Sequence, residues 1–123
     1  MDNQEQIKII SDDLHCILLK LEIPTRLVGF NYLHYAIMQA LTNPKNFRKQ
    51  TDALKLIASQ LHISVSAFRD AVQRATLCFW ESNNLDRMIS FYRHQYTLKC
   101  GVPSDFEFII YMASYLRTKH NFI

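Results

Sequence analysis

Five side chains between positions 66 and 74, Ser66, Arg69, Asp70, Gln73 and Arg74, are spaced to share the outer face of one helix. They are hydrogen-bond donors and acceptors: hydroxyl, guanidinium, carboxylate and amide. Their chemistry is recognition, the pairing of polar groups with base edges and phosphates, and not bond making. Ser64 stands just before them, where its hydroxyl can accept from an otherwise orphan amide of the first helical turn. A capped helix with small polar and basic side chains on its free face, held across a second helix, is the geometry that reads the major groove of DNA. Bond-making chemistry is not visible. No nucleophile–base pair, acidic dyad or glycine-rich phosphate loop occurs in register, so an enzyme is not expected.

The elements that must position these groups lie between Ala53 and Trp80, in a helix-turn-helix of about residues 52–82. Ile57, Ala58 and Leu61 make the inner face of its first helix, and the small Ala58 permits a close approach. His62-Ile63 forms the turn. The second helix buries Phe68, Ala71, Val72, Ala75, Cys78 and Phe79, at the i, i+3, i+4, i+7 spacing of one helical face. The same pattern also fits an ordinary helical hairpin of a small all-α domain.

The rest of the chain sets the frame. Its 123 residues suit one domain, 1–123, able to bury a core without staples. A hydrophobic content of 49% with 20% charged residues is globular in character, and only 2 Gly and 3 Pro leave long segments unbroken. The fold class expected is all-α, with about six helices containing the helix-turn-helix. No apolar run approaches the roughly 18 residues that span a bilayer, and the polar start MDNQEQ is no signal peptide, so a cytoplasmic protein without membrane contact is expected. Cys16, Cys78 and Cys100, odd in number and far apart, fit no CxxC or zinc spacing and read as reduced thiols, and the five histidines are scattered. Neither a metal nor another cofactor is expected, nor a small-molecule substrate.

Charge is distributed unevenly. Residues 1–41 carry three basic and five acidic groups, a net of −2, whereas residues 42–99 carry nine and four, a net of +5. The remainder balances. The excess falls on the helix-turn-helix and its flanks, where phosphate neutralisation and counterion release by double-stranded DNA would account for it; a solvated basic face is the alternative. Lys45, Arg48, Lys49, Arg93 and Lys99 are candidate phosphate contacts, which position a protein without specifying sequence.

Along the chain, Ile7, Ile10, Leu14, Ile17, Leu18 and Leu21 mark a first helix that should stop at Ile23-Pro24. Gly29 to Leu41 makes a second, ended by Asn43-Pro44, and residues 45–50 form a basic connector. Asn83-Asn84 can supply a left-handed stop after the recognition helix. Leu85 to Tyr92 reads as a short helix and 93–103 as a loop. Ser104 to Glu107 is a capping box opening a last helix, with Phe108, Ile109, Met112, Ala113 and Leu116 for burial. The basic tail after Leu116 suits the macrodipole of that helix. Phe30, Tyr32, Tyr35, Phe106 and Phe108 fit a core better than a stacking platform.

Three blocks carry a more specific resemblance. Ile23 to Ile37 holds a Pro, then Gly29-Phe30-x-Tyr32-Leu33, then Ala36-Ile37. Ile57 to Trp80 follows, with Ala71 and Ala75 in register and a closing Trp80. The last block runs from Pro103 through Phe106-Glu107-Phe108-Ile109 to Leu116-Arg117 and His120. In order and spacing they resemble the C-terminal DNA-binding effector domain of the sporulation master response regulator, the stage 0 sporulation protein A family. The resemblance implies an all-helical domain that binds promoter DNA, as a homodimer or as tandem copies, and regulates transcription. It also exposes departures. The family's phosphorylatable receiver has no counterpart here, which makes a stand-alone regulator the expectation. Arg69-Asp70 stand where the family carries Glu-Arg, Gln73-Arg74 where it carries Arg-His, and Leu77 replaces an acidic residue. The alternative is a receiver-less interaction module that modulates a full-length regulator without reading DNA, using Leu77, Trp80, Cys16 and Leu19 as protein contacts.

Overall fold

Ile10, Leu14, Ile17 and Leu18 recur at helical spacing, and all four are buried in the first helix of the computed structural model. The structure describes residues 2–81 and 104–122, the side chains of 78–81 excepted. Within them are five α-helices: α1 (Asn3–Lys20), α2 (Val28–Thr42), α3 (Gln50–Gln60), α4 (Val65–Glu81) and α5 (Asp105–Lys119). A 3₁₀ turn, Pro44–Phe47, precedes α3, and there is no strand among the described residues. The all-α architecture is thus as the unbroken apolar periodicity implied. The stop at Asn83-Asn84, the short helix Leu85–Tyr92, the loop 93–103 with Arg93 and Lys99, and the burial of Cys78 and Phe79 lie outside the described residues. No helix among the described residues is long and apolar enough to cross a membrane.

One core joins all five helices. Phe30, Leu33, Ala36 and Ile37 of α2 sit at its centre with Phe108, Ile109 and Met112 of α5, and α2 packs most closely against α5 and α4. Phe30 and Phe108 are buried, while Tyr32, Tyr35 and Phe106 pack against the core with part of each ring in solvent. Burying an aromatic or branched aliphatic side chain contributes on the order of 1.5–3 kcal/mol each, so this set dominates the fold's stability.

The helix ends differ from the expected positions for local reasons. α1 ends at Lys20, ahead of Ile23-Pro24, because Glu22 turns left-handed at φ 64°. The Glu22 amide donates to the Leu19 carbonyl and the Ile23 amide to the Leu18 carbonyl, which satisfies the carbonyls of the last turn and buries Ile23. α2 runs one residue beyond Gly29–Leu41 at each end. The basic connector is more ordered than expected: Pro44 opens the 3₁₀ turn, and Phe47 is buried, stacked on Phe106 with ring centroids 6.3 Å apart.

α5 carries the expected capping box, the Glu107 amide donating to Ser104 Oγ at 3.2 Å and the Ser104 amide to Glu107 Oε1 at 3.1 Å. Its basic end serves other helices as well as its own dipole. The Arg117 guanidinium donates to the Ala40 and Leu41 carbonyls at 3.1 and 3.0 Å, capping the end of α2. Lys119 Nζ and His120 Nε2 lie 2.8 and 2.7 Å from Asp13 Oδ2, and Gln6 Nε2 donates to the His120 carbonyl at 3.0 Å. Burial pushes the Asp13 carboxyl up, but hydrogen bonds from Lys119 and His120 outweigh it and hold it below its usual value. The hydrogen bond to Asp13 raises Lys119 in turn.

Candidate nucleic-acid interface

α3 and α4 form the helix-turn-helix, and its turn is built from backbone hydrogen bonds. His62 adopts φ 60°, its amide donating to the Ser59 carbonyl and the Ile63 amide to the Ala58 carbonyl. The left-handed residue here is a histidine, although a Cβ makes that conformation less favourable than it is for glycine. Ser64 then caps α4 as expected: the Ala67 amide donates to Ser64 Oγ at 3.0 Å. Ala53, Leu54, Ile57 and Ala58 of α3 are buried, and Leu61 is half-buried beside them.

The stripe Phe68, Val72 and Ala75 is fully buried, with Ala71 partly so. Pairing within the helix-turn-helix alone would set this stripe against α3. In the structure α4 rests chiefly on α2, and its contact with α3 is lighter. The reason is Gly29. A Cβ built there would collide with the Ala71 carbonyl oxygen and come within 3.0 Å of the Ala75 Cβ. Glycine lets the two backbones touch, and Tyr32 one turn later packs on Phe68 with ring centroids 6.0 Å apart. The Tyr35 hydroxyl donates to Gln60 Oε1 at 2.7 Å, tying α2 to the end of α3.

With the stripe seated inward, the opposite face is open. Ser66, Arg69, Asp70, Gln73 and Arg74 are all exposed, and Leu77 follows on the same face with half its surface in solvent. Arg69 lines a groove of about 440 Å³ between α3 and α4, together with Gln50, Thr51, Leu54, Lys55 and Val65. Lys45, Arg48 and Lys49 are exposed around a second hollow of about 290 Å³ at the start of α3, with Asn46, Asp52 and Leu56. The structure therefore brings three of the five expected phosphate contacts to one side of the helix-turn-helix; Arg93 and Lys99 are among the residues outside the description.

Two groups at this site were missed in the sequence. Lys55 is exposed in the groove beside Arg69; its share in the basic excess of residues 42–99 and its outward place on α3 are the signals for it. Asp105 belongs by sequence to the capping segment of α5, yet its carboxylate stands at the flank of α4. The single Thr76 hydroxyl proton is shared among the Val72 and Gln73 carbonyls, at 3.1 Å each, and Asp105 Oδ1, at 3.4 Å. Burial raises Asp105 above the usual carboxylate range, against the lowering effects of the Thr76 hydrogen bond and the Arg69 charge. No sequence pattern links positions 69, 76 and 105; only the packing of α5 on α4 does.

No group of His, Cys, Asp and Glu among the described residues could hold a metal ion. The arrangement is a protruding polar helix face flanked by cations, suited to contact a polyanion along its length. No solved structure matches the chain. Residues 14–116, from the middle of α1 to the last buried residue of α5, match the family model described as sporulation initiation factor Spo0A C terminal, and the chain belongs to that family of DNA-binding effector domains.

Proposed function

We propose that the chain is a DNA-binding transcription regulator that lays the exposed face of α4 in the major groove of duplex DNA. The observation that carries this reading is the division of α4 into a fully buried seat, Phe68, Val72 and Ala75, and an exposed face of Ser66, Arg69, Asp70, Gln73 and Arg74. Ser64 caps the first turn, and its hydroxyl or the neighbouring amides would share in a phosphate contact. Lys45, Arg48 and Lys49 around the hollow at the start of α3, and Lys55 in the groove beside Arg69, would serve as phosphate contacts. Lys49 occupies the N-cap of α3, where a cation opposes the positive end of the helix dipole. A phosphate at that point would relieve the conflict. Two copies side by side on DNA would double such contacts.

Asp70 on the reading face repels phosphates, so binding is expected near the micromolar range at moderate salt, weakening steeply as salt rises. Replacing Arg69, Gln73 and Arg74 together by alanine tests the reading. Stability should hold within about ±0.5 kcal/mol, since all three are exposed. Affinity for duplex DNA should fall, and its salt dependence should flatten by roughly one unit of slope per lost phosphate contact. Unchanged affinity and slope would remove α4 as the reader. In that event the exposed Leu77, with Leu19 and Cys16 on α1, would favour a module that binds another protein.

A further inference from the structure

The exposed face of α4 carries its cations at the sides and its acceptors along the middle. At 3.6 residues per turn, Ser66, Asp70, Gln73 and Leu77 fall within about 30° of one line, and Arg69 and Arg74 each lie roughly 70° from it on opposite sides. Arg69 is committed further sideways, since it lines the groove with Lys55 and its charge acts on Asp105. No ion pair or hydrogen bond to another described residue engages the Asp70 carboxylate. Leu77 offers only hydrocarbon.

The middle line therefore presents a carboxylate and an amide to whatever lies opposite. Guanine shows only acceptors in the major groove, N7 and O6, and a carboxylate facing them is both desolvated and repelled. Cytosine and adenine each show an exocyclic amine, N4 and N6, which a carboxylate can accept from; glutamine can pair with adenine N6 and N7 together. Three residues of helix advance about 4.5 Å, close to one base step of roughly 3.4 Å. Asp70 and Gln73 thus address neighbouring base pairs.

Resting on the DNA-reading role proposed above, we infer that Asp70 and Gln73 determine specificity by selecting adjacent bases that carry a major-groove amine, cytosine or adenine opposite Asp70 and adenine opposite Gln73, and by excluding guanine from those positions of the contacted strand. The arginines hold phosphates on either side and do not choose the sequence.

Enrichment of the full chain's bound fraction from random duplexes reads this directly. The parent pool should show an amine-bearing base beside an adenine, with guanine depleted at both positions. Asp70→Ala should lose its preference at one position by roughly 5- to 150-fold while keeping the other. Asp70→Arg should convert that same position to guanine. In an enriched duplex, 2-aminopurine in place of the adenine moves the amine out of the major groove without breaking the pair; it should weaken the parent and leave Gln73→Ala unaffected. Melting temperatures for the three surface variants should match the parent, which keeps folding out of the comparison. A bound pool rich in guanine at these positions, or one with no preference that Asp70→Ala alters, overturns the specificity inference and leaves DNA binding standing. Absence of any bound pool at low salt overturns both.

Discussion

α4 meets its two neighbours in different ways. α3 is its partner in the chain, joined through the four-residue turn Leu61–Ser64, yet the two helices touch lightly and leave a groove open between them. α2 is separated from α4 by the whole of α3, and there the backbones meet at Gly29 and Ala71 while Tyr32 covers Phe68. The hairpin sets where α4 begins; the seat on α2 sets which way its outer face points. For the DNA-reading role proposed for α4, the second contact matters more. The seat is rigid because it is made of close-packed side chains and backbone, which tolerate little change in volume.

The largest effect should come from the seat. Phe68→Ala removes a fully buried ring and is expected to cost about 3–5 kcal/mol, read by chemical denaturation. A cost below about 1 kcal/mol would mean that α4 is not anchored there. Gly29→Ala is the sharper probe, because alanine in a helix otherwise gains up to about 1 kcal/mol over glycine. Here the added methyl meets the Ala71 carbonyl, so a net loss of about 1–3 kcal/mol is expected, together with weaker DNA binding as α4 is pushed off its seat. A stabilised Gly29→Ala variant would break the comparison.

Asp13 tests the far side of the molecule. Its carboxyl is held below its usual value in the folded chain, so its contribution is present above the unfolded value of about 3.9 and is lost as pH falls through the folded value. Asp13→Asn should therefore destabilise by about 1 kcal/mol near neutral pH, a modest figure because the Lys119 partner is partly exposed. Once pH has fallen below the lowered folded value, the variant and parent should converge. DNA affinity should not change, since the pair joins α1 to the end of α5, away from the reading face. The smallest effect belongs to the hairpin. His62→Gly relieves a left-handed side chain and should alter stability by no more than about 1 kcal/mol, in the direction of a gain, when thermal melts are compared.

These contrasts also mark what was legible in the sequence. Ser64 and the Ser104–Glu107 box were readable because a cap is a local hydrogen bond within four residues of chain. The stripe Phe68, Val72 and Ala75 was readable because burial imposes a helical period. What it packs on was not, because a period names a face and no partner; Gly29 read only as a helix start until its contact with Ala71 was visible. Arg117 looked like a companion for its own helix dipole, whereas its guanidinium reaches carbonyls 76 and 77 positions away. Phe47 was hidden in a basic stretch, and its burial depends on Phe106. Asp105 could not be placed beside Arg69 without knowing that α5 starts there. That Ser66, Arg69, Asp70, Gln73 and Arg74 share an exposed face was local information; the direction in which that face is turned was not.

The last helix carries a consequence for how the chain acquires its shape. α5 closes contacts with the earliest residues, His120 with Asp13 and with Gln6 across 107 and 114 positions, and Arg117 with the end of α2. Synthesis delivers this helix after the other four, so the end of α2 waits for its cap, and α1 for its clasp, after α4 has been synthesised. Long-range closures of this kind slow folding, because chain entropy must be surrendered before the contacts form. During that interval the apolar faces of α1 and α2 lack their cover, and the nascent chain passes through a stage when it is most open to chaperones and to aggregation.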